Sequence, residues 1–208
     1  MPPTPPPRLD AEDFFADVTF ADLALEAADL RGKELQRCTF RRCKLPESRW
    51  ARAKLEDCVF EHCDLTRMAP QELGLRGVTF KDTKLMGVDW TDTGPHPNVT
   101  FEGCDLRYAS FVKMRLRGTK FLRCMAREAN FLEVDLTEAD FTDTDLSDST
   151  IKGCTLIKAN LAHAVGLRLD PQLNKVKGAR LSLEAAVLLV QSFGIVVEAF
   201  ELDGDRPD

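Results

Sequence analysis

The 208-residue sequence contains no long apolar run, and this excludes a membrane-spanning helix, which needs about 20 consecutive apolar residues. It opens MPPTPPPRLD, without the charged stretch and apolar segment of a secretory leader, so no leader is expected. G-x-S-x-G, P-loop and dinucleotide fingerprints are absent, and with them the commonest short signatures of hydrolases, NTPases and dehydrogenases. Histidine is scarce: His62, His96 and His163 are the three present. Cysteine occurs seven times, an odd number that cannot divide into pairs. Free thiols in a reducing compartment, and hence a cytoplasmic protein, are the expectation. Five prolines among the first seven residues read as a polyproline-like tail.

What is present is a period of five. Counting from Phe20, every fifth residue to Trp90, and again from Phe101 to Leu161, gives 28 positions, 26 of them Leu, Phe, Trp or Ile. These four types make up 45 of the 208 residues, so chance would supply roughly six. The residue two before each is small at 23 of the 28 positions, and all seven cysteines fall there. Most of the charge occupies the other three places. Two inward residues separated by one outward residue fit a short extended segment, because side chains alternate along a strand. Four such sides, turning a corner after each five, close a square coil of 20 residues. Phe20, Phe40, Phe60, Phe80, Phe101, Phe121 and Phe141 then stack on one inner face. Trp50, Trp90, Phe111, Phe131 and Ile151 stack on the opposite one.

Two breaks interrupt the count. Pro70 replaces the large apolar residue in MAPQELG, which predicts a distorted side. Eleven residues separate Trp90 from Phe101, and the extra one falls in TDTGPHPN, a small outward loop. After Leu161 the repeat fades. Ser182 then opens SLEAAVLLVQSFGIVVEAF as an N-cap, Glu184 sits in the first turn, and Gly194 ends a helix expected over about 183–193. The following GIVVEAF reads as a strand. The helix is apolar almost all round and needs cover on more than one side.

ANFLEVDLTEADFTDTDL (129–146) and CTFRRCKL (38–45) resemble the consensus of the pentapeptide-repeat family, A-(D/N)-L-x-x. The resemblance implies an all-β fold: a right-handed quadrilateral parallel β-helix, a solenoid of about seven coils, with a C-terminal α-helix and strand. The division expected is a Pro-rich tail at 1–13, the β-helix at 14–163, a capping and dimerisation module at 164–200 and a tail at 201–208. The C-terminal pattern carried by Gly178, Leu181, Ala185, Leu188, Leu189, Gly194, Ile195 and Val197 is similar to that of the Qnr- and MfpA-type proteins. Those are non-enzymatic, DNA-mimicking homodimers that protect DNA gyrase, and sometimes topoisomerase IV, from quinolones or natural gyrase poisons. The resemblance implies a homodimer through Leu183, Ala186, Val187, Leu189, Val190, Phe193, Ile195 and Val197. It implies no cofactor, no membrane partner and no direct DNA binding. The alternative is a pentapeptide-repeat scaffold for protein–protein interaction unrelated to gyrase.

The charge is uneven. Residues 128–151 hold eight acids and no Lys or Arg: Glu128, Glu133, Asp135, Glu138, Asp140, Asp143, Asp145 and Asp148. The register sends all eight outward, a candidate surface for a basic partner, and Pro95 and His96 of the loop are further candidate contacts. The same charges would also serve plain solubility. Residues 31–54 instead hold nine bases and two acids. Cys58, His62 and Cys63 lie close in sequence, but the register turns the cysteines inward and the histidine outward, so no metal site is expected. A convex band of acids offers no pocket for catalysis, and no catalytic residue is expected.

Overall fold

The computed structural model describes residues 9–94 and 96–198. They form a parallel β-solenoid of about eight turns, closed at one end by a short helix. Pairing is parallel and offset by 20: Phe20 stands on Phe40, Phe40 on Phe60, and Phe60 on Phe80. The offset becomes 21 at the loop, where Phe80 pairs with Phe101 and Val78 with Val99. The register read from the count of five is the register of the fold.

The core is a double column of aromatic rings. Phe40 and Phe60 stack with centroids 4.6 Å apart, and Phe121 and Phe141 with centroids 4.8 Å apart. Across the coil, Trp50 meets Phe40 and Phe60 edge-on at 6.2 and 5.9 Å, as Phe131 meets Phe121 and Phe141 at 5.8 Å. Stacked and edge-to-face pairs of this kind each contribute roughly 0.5–1.5 kcal/mol beyond burial.

The corners carry a feature that the apolar period does not reveal. The residue two after the inward apolar one lies in the left-handed region at nearly every corner, Asp92 and His163 being exceptions, and at 21 such corners it is not glycine. That backbone costs roughly 1–2 kcal/mol for an L-residue. The cost is offset by a rung of the ladder: Asp17 N–H donates to Gln36 O at 2.9 Å, Arg42 to Glu61 O at 2.9 Å, and Glu133 to Lys152 O at 2.9 Å.

The small inward position is chosen for hydrogen bonding as well as for size. Cys58 Sγ lies 3.4 Å from the carbonyls of both Leu35 and Glu56, and Thr144 Oγ1 donates to Phe121 O at 2.6 Å. Ser48 donates to Leu45 O and accepts from the Trp50 indole at 2.8 Å. Val88 takes the same place before Trp90, whose buried indole nitrogen has no hydrogen-bond partner among the described residues.

Three expectations change. Pro70 sits buried in its side without displacing it, and its effect is local. Parallel bridges join Arg49 to Ala69 and Asp89 to Ser110, but none joins Ala69 to Asp89 among the described residues, because proline has no N–H to give. The ladder runs past the last clear repeat: Asn160 and Leu161 pair with Arg180 and Leu181, and Thr155 bridges to Lys175. Here Gly166 and Pro171 fall where large apolar residues are counted, and buried Leu167 and Leu169 fill the interior instead. The strand expected in GIVVEAF is corrected: 194–198 forms no strand, and 199–200 lies outside the described residues. Ile195 and Val196 are exposed beside no paired edge, and a strand without a neighbour has no ladder to hold it.

The C-terminal helix spans Leu183–Ser192, with the Ser182 hydroxyl accepting from Ala185 N–H at 3.1 Å. Ala185 is buried and Leu189, one turn on, packs against the core. At the other end Leu9 is buried, and the Lys33 ammonium, 5% exposed as a residue, donates to Glu12 O at 2.5 Å. Among the described residues, no helix is long and apolar enough to cross a membrane.

Candidate partner-binding surface

The nine bases of 31–54 do not form a free basic face. Seven make ion pairs, most with an acid one coil away: Arg37 with Asp17 and Arg42 with Asp22 at 2.7 Å, Arg41 with Glu61 at 3.0 Å, and Lys54 with Glu34 at 2.6 Å. Lys33, Arg31 and Arg49 pair with Asp13 and Asp29. The corner column Asp17–Arg37–Asp57 alternates in sign, and in a neighbouring one Asp22 pairs with Arg42 while His62 faces Asp82. The guanidinium beside Asp17, and that beside Asp22, holds each carboxyl below its ordinary value, and Arg31 holds Asp29 at about 2.

The eight acids of 128–151 fall into two groups. Asp135, Asp140 and Asp145 precede the large apolar residue and fold back onto the chain. Asp135 accepts from the Thr137 hydroxyl at 2.6 Å and N–H at 3.1 Å, Asp140 from those of Thr142 at 2.6 and 3.0 Å, and Asp145 from Ser147 N–H at 2.9 Å. Asn160 Nδ2 also donates to Asp140 at 2.9 Å. Burial pushes the Asp135 carboxyl up, but the Thr137 bonds and nearby Arg117 hold it below its ordinary value; Ser147 and Arg127 do the same for Asp145. These three are turn-builders and not freely outward, a correction to the uniform band read from the register.

Glu128, Glu133, Glu138, Asp143 and Asp148 occupy left-handed corners and are exposed. Glu138 lies 3.7 Å from Lys158. The other four make no ion pair among the described residues. Glu128 and Asp148 share one corner column, one coil apart, so like charge stands over like charge.

The seven cysteines are free and buried. Burial raises the thiols of Cys38, Cys104 and Cys154 and pushes Cys58 up to about 11. The hydrogen bond between the stacked Cys43 and Cys63 thiols lowers the first and raises the second. His62 faces outward, 3.9 Å from Asp82, away from Cys58 and Cys63. His96 is exposed in the loop, and Pro95 lies outside the described residues. On the helix, Leu183 is exposed while Ala186, Val187, Leu189 and Val190 are half-buried, and beyond its end Phe193, Ile195 and Val197 are exposed.

A sequence profile described as "Pentapeptide repeat region" matches residues 33–94, 53–131 and 97–161. The chain belongs to the pentapeptide-repeat family. Among curated relatives, this pentapeptide-repeat protein is 29% identical over 173 residues to Protein McbG of Escherichia coli, covering 83% of this chain and 92% of that one. Among solved structures, it is similar to a trypsin-treated form of QnrB1, a plasmid-mediated fluoroquinolone resistance protein. The TM-score is 0.64 at 18% identity, over 86% of this chain and 100% of that one. A second trypsin-treated QnrB1 gives 0.50 at 20% identity, over 89% and 90%. At these identities the structural likeness establishes the shared fold.

The apolar period does not single out the left-handed corners, and their side chains vary because the backbone bond defines the position. Their signal is the offset of two from each large apolar residue. The partition of the acids likewise had a signal: Thr or Ser two residues after Asp, in DLT, DFT and DLS.

Proposed function

We propose that this protein is a non-enzymatic, DNA-mimicking protein that binds a type II topoisomerase, DNA gyrase or topoisomerase IV, and protects it from quinolones or natural gyrase poisons. The observation that carries the reading is the corner acids near the C-terminal helix. At several other corners the fold sets a charge against its opposite one coil away, as Asp17 with Arg37, Asp22 with Arg42 and Glu47 with Arg67; here Glu128 and Asp148 stand one over the other with no ion pair among the described residues. Like charges side by side oppose folding, and a local rule broken without a structural gain points to function. Exposed carboxylates along a rod offer a basic, DNA-binding surface the charge spacing of a polyanion. The likeness to QnrB1 and McbG supports the choice of partner. The exposed apolar face of the helix supports a homodimer, which places two acidic segments about one junction.

Supercoiling by purified gyrase in the presence of a fluoroquinolone, with and without the protein, tests the proposal. Protection is expected from the native chain. It should be lost when Glu128, Glu133, Glu138, Asp143 and Asp148 are replaced by Lys, with the circular dichroism spectrum retained. Absence of rescue against several poison classes, together with no binding to gyrase or topoisomerase IV, would leave the general interaction scaffold.

A further inference from the structure

The rod also carries a basic cleft. On the side formed by Phe14–Ala16, Glu34–Gln36, Lys54–Glu56 and Gly74–Arg76, the parallel ladder stops at Gly74–Arg76. It resumes two coils later, where Arg115 bridges to Asp135. Between them the 91–98 loop is pinned from below: Gly94 N–H donates to Leu73 O and Asn98 N–H to Leu75 O, both at 2.9 Å. The loop therefore follows the coil beneath it, and a cleft of about 810 Å³ opens between it and the coil above.

Arg115, Arg117, Lys120 and His96 line this cleft, with Asp135 the one acid and Thr100 and Thr119 adding hydroxyls. Arg115 and Lys120 make no ion pair among the described residues, and the Arg117 guanidinium is 3.5 Å from Asp135. Three permanent cations thus face a single carboxylate in a chain whose net charge is −6. In the coils below, seven of nine bases are neutralised by partners. Gly118 stands at the cleft with φ of +64° and open space where a Cβ would be. Other corners of the same conformation hold Asp, Glu or Arg.

We propose that this cleft binds an acidic, extended segment of a protein partner. Guanidinium groups recognise carboxylates through paired hydrogen bonds, and a cleft of this size falls within the roughly 300–1,000 Å³ range of ligand sites. An inorganic anion would leave most of it empty. A nucleic acid carries dense charge along its whole length, and the coil above presents Asp135, Glu138 and Asp140. A short segment with a few carboxylates meets the three cations and ends before that repulsion begins. The inference concerns a different surface from the acidic corners and holds whether or not the partner is a topoisomerase.

The test uses the full chain, isotope-labelled for amide resonances, titrated with a blocked hexapeptide of alternating glutamate and glycine. Saturable shifts are expected in Arg115–Lys120 and His96. Binding should weaken at least tenfold in Arg115→Glu/Lys120→Glu and in Gly118→Glu, which puts a carboxylate at the cleft on a corner conformation that glutamate adopts elsewhere in the chain. The same peptide with glutamine should not bind. Three results would each overturn the proposal: no saturable shift, equal binding of the glutamine peptide, or tighter binding of a six-nucleotide oligothymidylate than of the acidic peptide.

Discussion

The coils around residues 31–54 and those around 128–151 share one backbone and one core, but use charge in opposite ways. In the first, acid faces base along columns such as Asp17–Arg37–Asp57, and seven of the nine bases have a counter-ion, most of them one coil away. In the second, three aspartates are consumed in building turns, and the corner acids around them are left to solvent. Net charge by segment therefore describes neither region. The basic stretch is close to neutral at its surface, and three of the eight acids in the acidic stretch are structural. What a charge can do for a partner depends on its place in the five-residue unit.

The comparison breaks most visibly if the turn-building aspartates are removed. Replacing Asp135, Asp140 and Asp145 together by Ala should cost about 3 kcal/mol, at about 1 kcal/mol for each lost set of side-chain-to-backbone bonds, read from urea unfolding. Because Asp135 and Asp145 are held below their ordinary value, the stability they contribute is present above about pH 4 and is lost as pH falls through their folded values. The midpoint of acid unfolding should move upward in the triple variant's Asn counterpart if the carboxylate charge, and not only the bond, matters.

A second contrast, between the two tryptophans, should give a smaller effect. Ser48→Val leaves the Trp50 indole as Trp90 already is, and a loss of about 1–3 kcal/mol is expected. Val88→Ser supplies Trp90 with the missing acceptor and should offset part of that loss in the double variant. If the two changes prove additive and both destabilising, hydrogen bonding at the indole is not what Ser48 contributes.

The smallest effects belong to the surface charges. Neutralising Glu128 and Asp148 to Gln should leave the melting temperature unchanged or slightly raised, since a like-charged pair is relieved. Arg37→Ala with Arg42→Ala should produce no measurable shift at moderate salt, because exposed pairs are worth little. A large loss from the arginine pair, or from the glutamine pair, would mean that the two regions are not divided between paired and free charge as described.

The core was legible because period five is written in bulky residues: Phe20 through Phe141 could be stacked by counting alone. The coil beyond Leu161 was not legible, since Gly166 and Pro171 interrupt the count while the backbone ladder, blind to side chains, continues to Leu181. The strand assigned to GIVVEAF (194–200) followed from composition, but a strand also needs a paired neighbour, which composition does not supply. The cleft escaped notice for a related reason. Arg115, Arg117 and Lys120 look like the arginines of the first coils until the ladder shows which have acids beside them.

Each turn is joined to the next by hydrogen bonds that lie along the axis of the rod. A pull on the two ends therefore loads these bonds in sequence, rung by rung, and not all at once as in a sheared sheet. The solenoid should open as a zipper, at low force and over a long extension. Its first split should come where Pro70 and the 91–98 loop interrupt the rungs, leaving two segments that each keep their aromatic stack.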